Sequence, residues 1–311
     1  MARARNKYSD YLQYLGLRLF GMFAHMFEVS KSYRTARWMG ELMWRIDRRH
    51  RRVACGHLRL SFPHWPEARV RRVARKSFHN LLYLGVEVLF MPRLIKPNRW
   101  RRHVRFRNMG QMLRLMLRQE SGLILVTGHF GNFLVVEYTM AAVGIPTVSV
   151  ARPLDNPYVW NHMMKLLEGN SQRFLYKKGA MRSAEGVLGS RGALSFVADQ
   201  DAGRKGLFVD FFGRPASTYK SIAMLAIRHQ APVVIGYGKR LREGFNFEIG
   251  VARIIRPQEW AHKQDPVTWI TEEFTRELER IVRDAPEQYL WVHRRWKHRP
   301  DGSRAGGDGV A

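Results

Sequence analysis

A single cysteine, Cys55, stands in the 311 residues, so no internal disulfide staples the fold and no Cys-based zinc site exists. That count is compatible with a reducing compartment. Acids are scarce too: 26 Asp and Glu face 53 Lys and Arg, for a net charge of +27. Such a surplus repels itself. It implies an anionic partner, whether nucleic acid, an acidic protein or a phospholipid surface. No apolar run reaches the roughly 18 residues a membrane-spanning helix needs. The nearest stretch, Tyr11 to Val29, is interrupted by Arg18, His25 and Glu28, and no small-residue cleavage site follows it. A Gly-x4-Gly-Lys-Ser/Thr loop is missing, and so is a Gly-x-Ser-x-Gly elbow, which argues against P-loop chemistry and against a serine hydrolase of that type. The histidines show no ligand spacing, so no metal is expected. No internal repeat is present, and biased composition is confined to residues 300–311, expected to form a flexible tail.

What is present is a 45% hydrophobic chain, enough for one large α/β domain or two small ones. Residues 1–50 read as an amphipathic, membrane-associating helical segment. Its apolar face (Leu12, Leu15, Leu19, Phe20, Met22, Phe23, Met26 and Phe27) meets lipid or the core, and Arg3, Arg5, Lys7, Lys31, Arg34 and Arg37 flank it. From Trp38 to about Arg118 the pattern is helical with arginine at most exposed positions. From Gly122 short apolar runs alternate with helical stretches. Strands are expected at Leu123–Val126, Pro146–Ala151, Arg173–Tyr176, Ala193–Ala198, Leu207–Phe212 and Val233–Gly238, with an edge strand at Phe245–Val251. The fold class is therefore α/β, a central mostly parallel or mixed sheet flanked by helices, occupying residues 51–299 behind the N-terminal segment.

Three of the expected strands end in polar residues: His129, Arg152 and Asp199. Strand ends of such a sheet converge on one edge, where ligands collect. An imidazole there can take a proton from a hydroxyl. With a guanidinium and a carboxylate beside it, the set suits acyl or phosphoryl transfer. Structural alternatives remain for each: a turn or cap for His129, a loop cap for Asp199, an ion pair for Arg152.

The blocks Gly128-His-Phe-Gly-Asn132, Arg152-Pro-Leu-Asp-Asn-Pro-Tyr158, Ala198-Asp-Gln-Asp201, Gly206-Leu-Phe-Val-Asp-Phe-Phe-Gly-Arg-Pro215 and Pro286-Glu-Gln-Tyr-Leu-Trp-Val-His-Arg-Arg-Trp-Lys297 follow one another in this order. With Leu58-Arg-Leu-Ser-Phe-Pro63 before them, they make the chain resemble the bacterial lipid A biosynthesis (late) acyltransferases, within the lysophospholipid acyltransferase superfamily, over roughly residues 50 to 298. The resemblance implies transfer of a fatty acyl group from an acyl carrier protein or coenzyme A thioester, as co-substrate and without a cofactor, to a hydroxyl of a lipid A precursor or related glycolipid. His129 would be the general base. In that family a carboxylate follows the histidine after four residues, but Leu134 stands there in this chain. The next acid, Glu137, would lie about 12 Å along a helix rather than about 7.5 Å. Asp199, arriving from another strand, is the better companion for the imidazole, as in related glycolipid acyltransferases. Backbone N–H groups at Gly131 and Asn132 would serve the oxyanion, Arg152 would hold a phosphate, and Phe130, Phe133, Tyr138, Phe211 and Phe212 either wall an acyl channel or fill the core. The implied partners are the acidic carrier, an anionic glycolipid acceptor and a membrane surface, at the cytoplasmic face of the bacterial inner membrane, peripheral or monotopic. Two other readings stay open: an inactive homologue that binds lipid, kept alive by Leu134, and a basic nucleic-acid-binding protein. The second has only net charge behind it, and no nucleic acid partner is expected.

Overall fold

Leu123–Thr127 is apolar until its last residue and Ala193–Val197 is interrupted only by Ser195. Runs of this kind suit strands covered on both faces. The computed structural model describes residues 6–145, 147–168, 172–176, 180–241 and 244–301. Arg3, Arg5, Pro146 and the tail from 302 lie outside the described residues.

Among the described residues the strands are, in chain order, β1 (Val104–Arg107), β2 (Leu123–Thr127), β3 (Val148–Val150), β4 (Arg173–Leu175), β5 (Ala193–Val197), β6 (Leu207–Asp210), β7 (Pro215–Thr218), β8 (Val233–Arg240) and β9 (Phe247–Ile255). Seven form one sheet in the order β1-β9-β8-β2-β5-β3-β4, and β6 and β7 form a separate antiparallel ribbon. Every pairing in the large sheet is parallel except β8 with β9. The helices are α1 (Lys7–His25), α2 (Val29–Ile46), α3 (Arg48–Ser61), α4 (Glu67–Leu94), α5 (Gly110–Arg118), α6 (Phe133–Ala142), α7 (Pro157–Leu167), α8 (Ala180–Gly189), α9 (Ser221–His229), α10 (Pro257–Trp260) and α11 (Pro266–Asp284). The chain is α/β, with a mixed, mostly parallel sheet between helices.

Side chains alternate across a strand, so each strand feeds two cores. Ile124, Val126, Leu194, Phe196, Val233 and Ile235 join one cluster, together with α3, α9 and α11. Leu123, Ala193 and Val234 join the other, with α6, α7 and the later part of α4.

Three expectations need correction. The stretch to Arg118 is not helical throughout, because β1 falls within it and pairs with β9 from Val104↔Phe247 onward. β9 is consequently an interior strand rather than an edge. The boundary at residue 50 cuts through α3, and the N-terminal segment does not stand apart. The Tyr33 hydroxyl on α2 donates to the buried Glu87 of α4 at 2.6 Å, and the Asn156 amide before α7 donates to the Asp10 carbonyl of α1 at 2.9 Å.

The outer side of α1 stays uncovered. Leu12, Leu19, Met22, Phe23 and Met26 are exposed, Leu15 and Phe27 less so, and Phe20 alone of the expected face packs against the core. On α2, Trp38, Leu42 and Ile46 are exposed as well. No helix among the described residues is long and apolar enough to cross a membrane.

Candidate active site

β2 and β5 are neighbours in register, Thr127 opposite Val197, so the residues that follow them emerge side by side. The Ala198 N–H donates to the Thr127 carbonyl at 2.8 Å and extends the pairing one step further. Asp199 therefore arrives against the turn that carries His129. A side chain on Gly128 would place its Cβ 3.3 Å from the Asp199 carboxyl group, a tight contact that glycine avoids.

The Asp199 carboxylate takes two hydrogen bonds from one residue: the His129 backbone N–H at 2.8 Å and the ring Nδ1–H at 2.7 Å. Asp199 is buried, and burial alone would raise its pKa. Attraction to the protonated form of His129 and the two hydrogen bonds outweigh that, with the protonated form of His293 adding to them, and hold the carboxyl at about 2. An ionised partner at Nδ1 fixes the proton there and leaves Nε2 as the acceptor. Nε2 faces the Gln200 amide at 3.2 Å, and the Phe133 ring lies 4.9 Å from the imidazole.

A second imidazole lies alongside. The His293 ring is stacked on that of His129, centroids 6.3 Å apart at 17°. Burial first, and then repulsion from Arg295 and from the neighbouring His129 ring whenever that ring carries a proton, press its pKa down to about 4 against the pull of Asp199, so His293 is neutral near pH 7. Fully buried Arg295 donates to the Gln200 and Ser217 carbonyls and, at 2.6 Å, to the Thr218 hydroxyl, tying the block that carries Asp199 to β7. Asp201 pairs with His298 at 2.7 Å.

The segment from Pro286 onward thus closes the site, and it also grips the His129 turn. Leu290 N–H donates to the His129 carbonyl at 3.1 Å, Gly131 N–H donates to the Gln288 carbonyl at 2.9 Å, and Phe130 bridges to Tyr289. The roles of Gln200, Gln288, His293 and Arg295 were not legible in the sequence. Three of them sit in a polar, aromatic block whose periodicity matches neither strand nor helix.

The expected oxyanion donors are engaged elsewhere. Besides the bond from Gly131, the Asn132 N–H donates to the Gly238 carbonyl at 2.8 Å. The Asn132 side chain is wholly buried, its oxygen capping α6 at Val135 N–H (2.9 Å) and its amide donating to Glu87 at 3.0 Å. Both residues shape the turn and neither presents a free N–H. Gly131 sits at φ +56°, and a Cβ there would lie 2.1 Å from the Gly238 carbonyl oxygen. Gly131→Ala is expected to cost at least about 1–3 kcal/mol from the backbone conformation alone, and activity with it. Thermal melting beside an acylation assay measures both, and an unchanged melt would refute the account of the turn.

Glu137 does not join His129. Its carboxylate lies in a buried cluster, accepting from Ser149, Ser195 and, at 2.7 Å, the Gln172 amide, and burial pushes its pKa up. Leu134, at the position where the carboxylate was expected, packs against the core. Arg152 is exposed at the end of β3. β3 is two strands from β2 across the same sheet edge, a spacing of roughly 10 Å. Phe130, Tyr138, Phe211 and Phe212 are core residues, and Phe133 is left beside the imidazole.

The sequence model of the family described as "Bacterial lipid A biosynthesis acyltransferase" matches residues 2–298. The chain is 28% identical over 281 residues to the lipid A biosynthesis lauroyltransferase of Escherichia coli K12, covering 87% of this chain and 86% of that one. It is 24% identical to a lipid A biosynthesis acyltransferase of Haemophilus influenzae (83% and 80% covered). With the lipid A biosynthesis palmitoleoyltransferase of E. coli K12 it shares 26% identity (82% and 81% covered).

Proposed function

The chain belongs to the bacterial lipid A biosynthesis acyltransferase family and is an O-acyltransferase, and from that premise we propose that it carries a fatty acyl group from a thioester to a hydroxyl of a lipid A precursor, with His129 as the base. The observation that carries this reading is the His129–Asp199 pair at the C-terminal edge of the sheet.

The acceptor hydroxyl displaces the Gln200 amide from Nε2 and gives its proton to the imidazole as its oxygen attacks the thioester carbonyl. The carbon–sulfur bond then breaks, the ester forms, and the thiolate takes the proton back from the imidazolium. Asp199 holds the ring and stabilises its cationic form. With Gly131 and Asn132 engaged, the first-turn N–H groups of Phe133 and Leu134, which have no intrahelical partner, are the donors for the developing oxyanion. Arg152 holds an anionic group of the acceptor or of the donor's carrier. Acyl carrier protein and coenzyme A are both compatible with the basic surface. The exposed apolar faces of α1 and α2 rest on the cytoplasmic leaflet, where the excess of Lys and Arg favours anionic lipid.

Mass spectrometry of total lipids from cells with and without the active gene tests this. A lipid A species heavier by one acyl group is expected only with it, and its mass reads both donor chain length and acceptor. Identical lipid profiles would overturn the proposal.

A further inference from the structure

A groove of about 370 Å³ opens between α2 and α4 and shares no residue with the His129–Asp199 pair. Arg37 from α2 and Arg72, Arg75 and Lys76 from α4 line it, with buried Asn80 and Arg240 also in its wall. Positions 72, 75, 76 and 79 share one face of α4. Like charges stacked at this spacing repel and weaken a helix by a few tenths of a kcal/mol per pair. The carboxylates in the lining are Glu41 and Glu287. Glu41 is already committed, with Arg75 on it at 2.6 Å and His79 Nε2 at 2.6 Å. Buried Arg240 is balanced by Glu87, at 2.5 and 2.7 Å. Arg72 and Lys76 are exposed and have no such carboxylate among the described residues.

Along α2 the residues next to those lining the groove are Trp38 and Leu42, followed one turn on by Ile46, all exposed at i, i+4, i+8 spacing. An apolar stripe headed by tryptophan beside a basic groove matches a molecule with an apolar body and an anionic head. The groove is also larger than a bare inorganic ion needs and falls within the size range of small-molecule sites.

We propose that this groove is a second ligand site, taking a phosphate borne on the sugar or glycerol headgroup of a membrane lipid, with Arg72 and Lys76 gripping the phosphate and the lipid body lying along Trp38 and Leu42. The inference rests on the reading that α1 and α2 meet the membrane. The groove backs onto the His129 turn through Gln288, whose carbonyl accepts from both Gly131 and the Asn80 amide (2.8 Å), so an occupant is held one hydrogen-bonded step behind the catalytic loop.

The test uses the full chain, its Arg72→Ala/Lys76→Ala variant, and His129→Ala as a control with an intact groove. The probes are phosphatidylcholine vesicles with and without phosphatidic acid, and soluble glucose 1-phosphate followed by calorimetry. Wild type and His129→Ala should prefer the phosphatidic acid vesicles and bind glucose 1-phosphate. The double variant should lose about tenfold or more on both while still adsorbing to phosphatidylcholine alone. Failure of every protein to bind any vesicle would sink the membrane reading, and the glucose 1-phosphate titration would still decide on the groove. A raised KM for phosphorylated but not dephosphorylated acceptor in the double variant would identify the acceptor's own phosphate as the occupant. Lost vesicle preference with unchanged KM would identify bulk phospholipid. Full retention of phosphatidic acid and glucose 1-phosphate binding by the double variant would overturn the proposal. So would a loss confined to affinity for acyl carrier protein, which would make the groove a docking site for the carrier.

Discussion

His129→Ala is expected to lower the acylation rate by about 10²–10⁴-fold, the range that a positioned general base supplies, with little change in the KM of either substrate. Asp199→Asn should fall in the same range for a distinct reason. Asp199 receives two N–H donors, one on each oxygen, from the backbone and the ring of the same histidine. An asparagine has a single oxygen to offer. If that oxygen keeps the backbone bond, its amide N–H faces Nδ1 and drives the ring proton to Nε2, where the base must be unprotonated. If it keeps the ring bond, the buried backbone N–H meets another donor. Either arrangement removes the working tautomer or its support. The wild-type carboxyl titrates at about 2, so the acid limb of its rate profile does not come from Asp199. For stability the sign follows from the depressed value. The pair's contribution is complete above the unfolded carboxyl pKa near 4, and is lost as pH falls towards 2. Rates for purified variants across pH decide the matter. If His129→Ala stayed within tenfold of wild type, the imidazole would not be the base.

The second large effect falls on stability. Arg240→Met should destabilise the fold by about 3–5 kcal/mol, the cost of leaving a buried charge without its partner. Glu87 is entirely buried and holds Arg240 through two hydrogen bonds. Burial opposes the guanidinium's charge, but Glu87 more than offsets it and keeps the pKa raised. Tyr33 and Asn132 also donate to Glu87, so removing the cation leaves the carboxylate with neutral donors alone. Changing both members, Arg240→Met with Glu87→Leu, should recover only part of the loss: the apolar pair avoids desolvating two charges, but the Tyr33 hydroxyl and the Asn132 amide lose their acceptor and the Asn80 side-chain oxygen its donor. Urea denaturation of the single and double variants separates these cases. A single variant within about 1 kcal/mol of wild type, a span typical of exposed pairs, would show that the pair is not what holds these elements.

Much of the architecture could be read from hydrophobic pattern. β2, β5 and β8 are apolar runs bounded by Gly, Pro and polar residues, and each falls where the run predicts. β1 was hidden because Val-Arg-Phe-Arg carries arginine on alternate positions inside an arginine-rich stretch, where charge masks a two-residue period. β7 opens on Pro215, a residue that reads as a turn. The position of β9 depended on finding β1, its outer neighbour. Within the site, Asp199 was visible as the acid that ends an apolar run. Glu137 could be doubted on helix geometry, but its actual surroundings come from Gln172 and two strands and required the fold. Gly131 and Asn132 looked like donors at a helix start. That both N–H groups go to Gln288 and Gly238, more than 100 residues away in sequence, has no local signature.

His129 and Asp199 lie 70 residues apart, and the turn between them is gripped by Leu290 and Gln288 from near the far end of the described chain. Contacts of such range are made late, because each must repay the closure of a long loop. Helices and individual strand pairs can therefore exist in a chain that has no reactive imidazole at all. A half-assembled molecule keeps His129 and Asp199 apart, and the imidazole gains its carboxylate only once distant parts of the fold have come together.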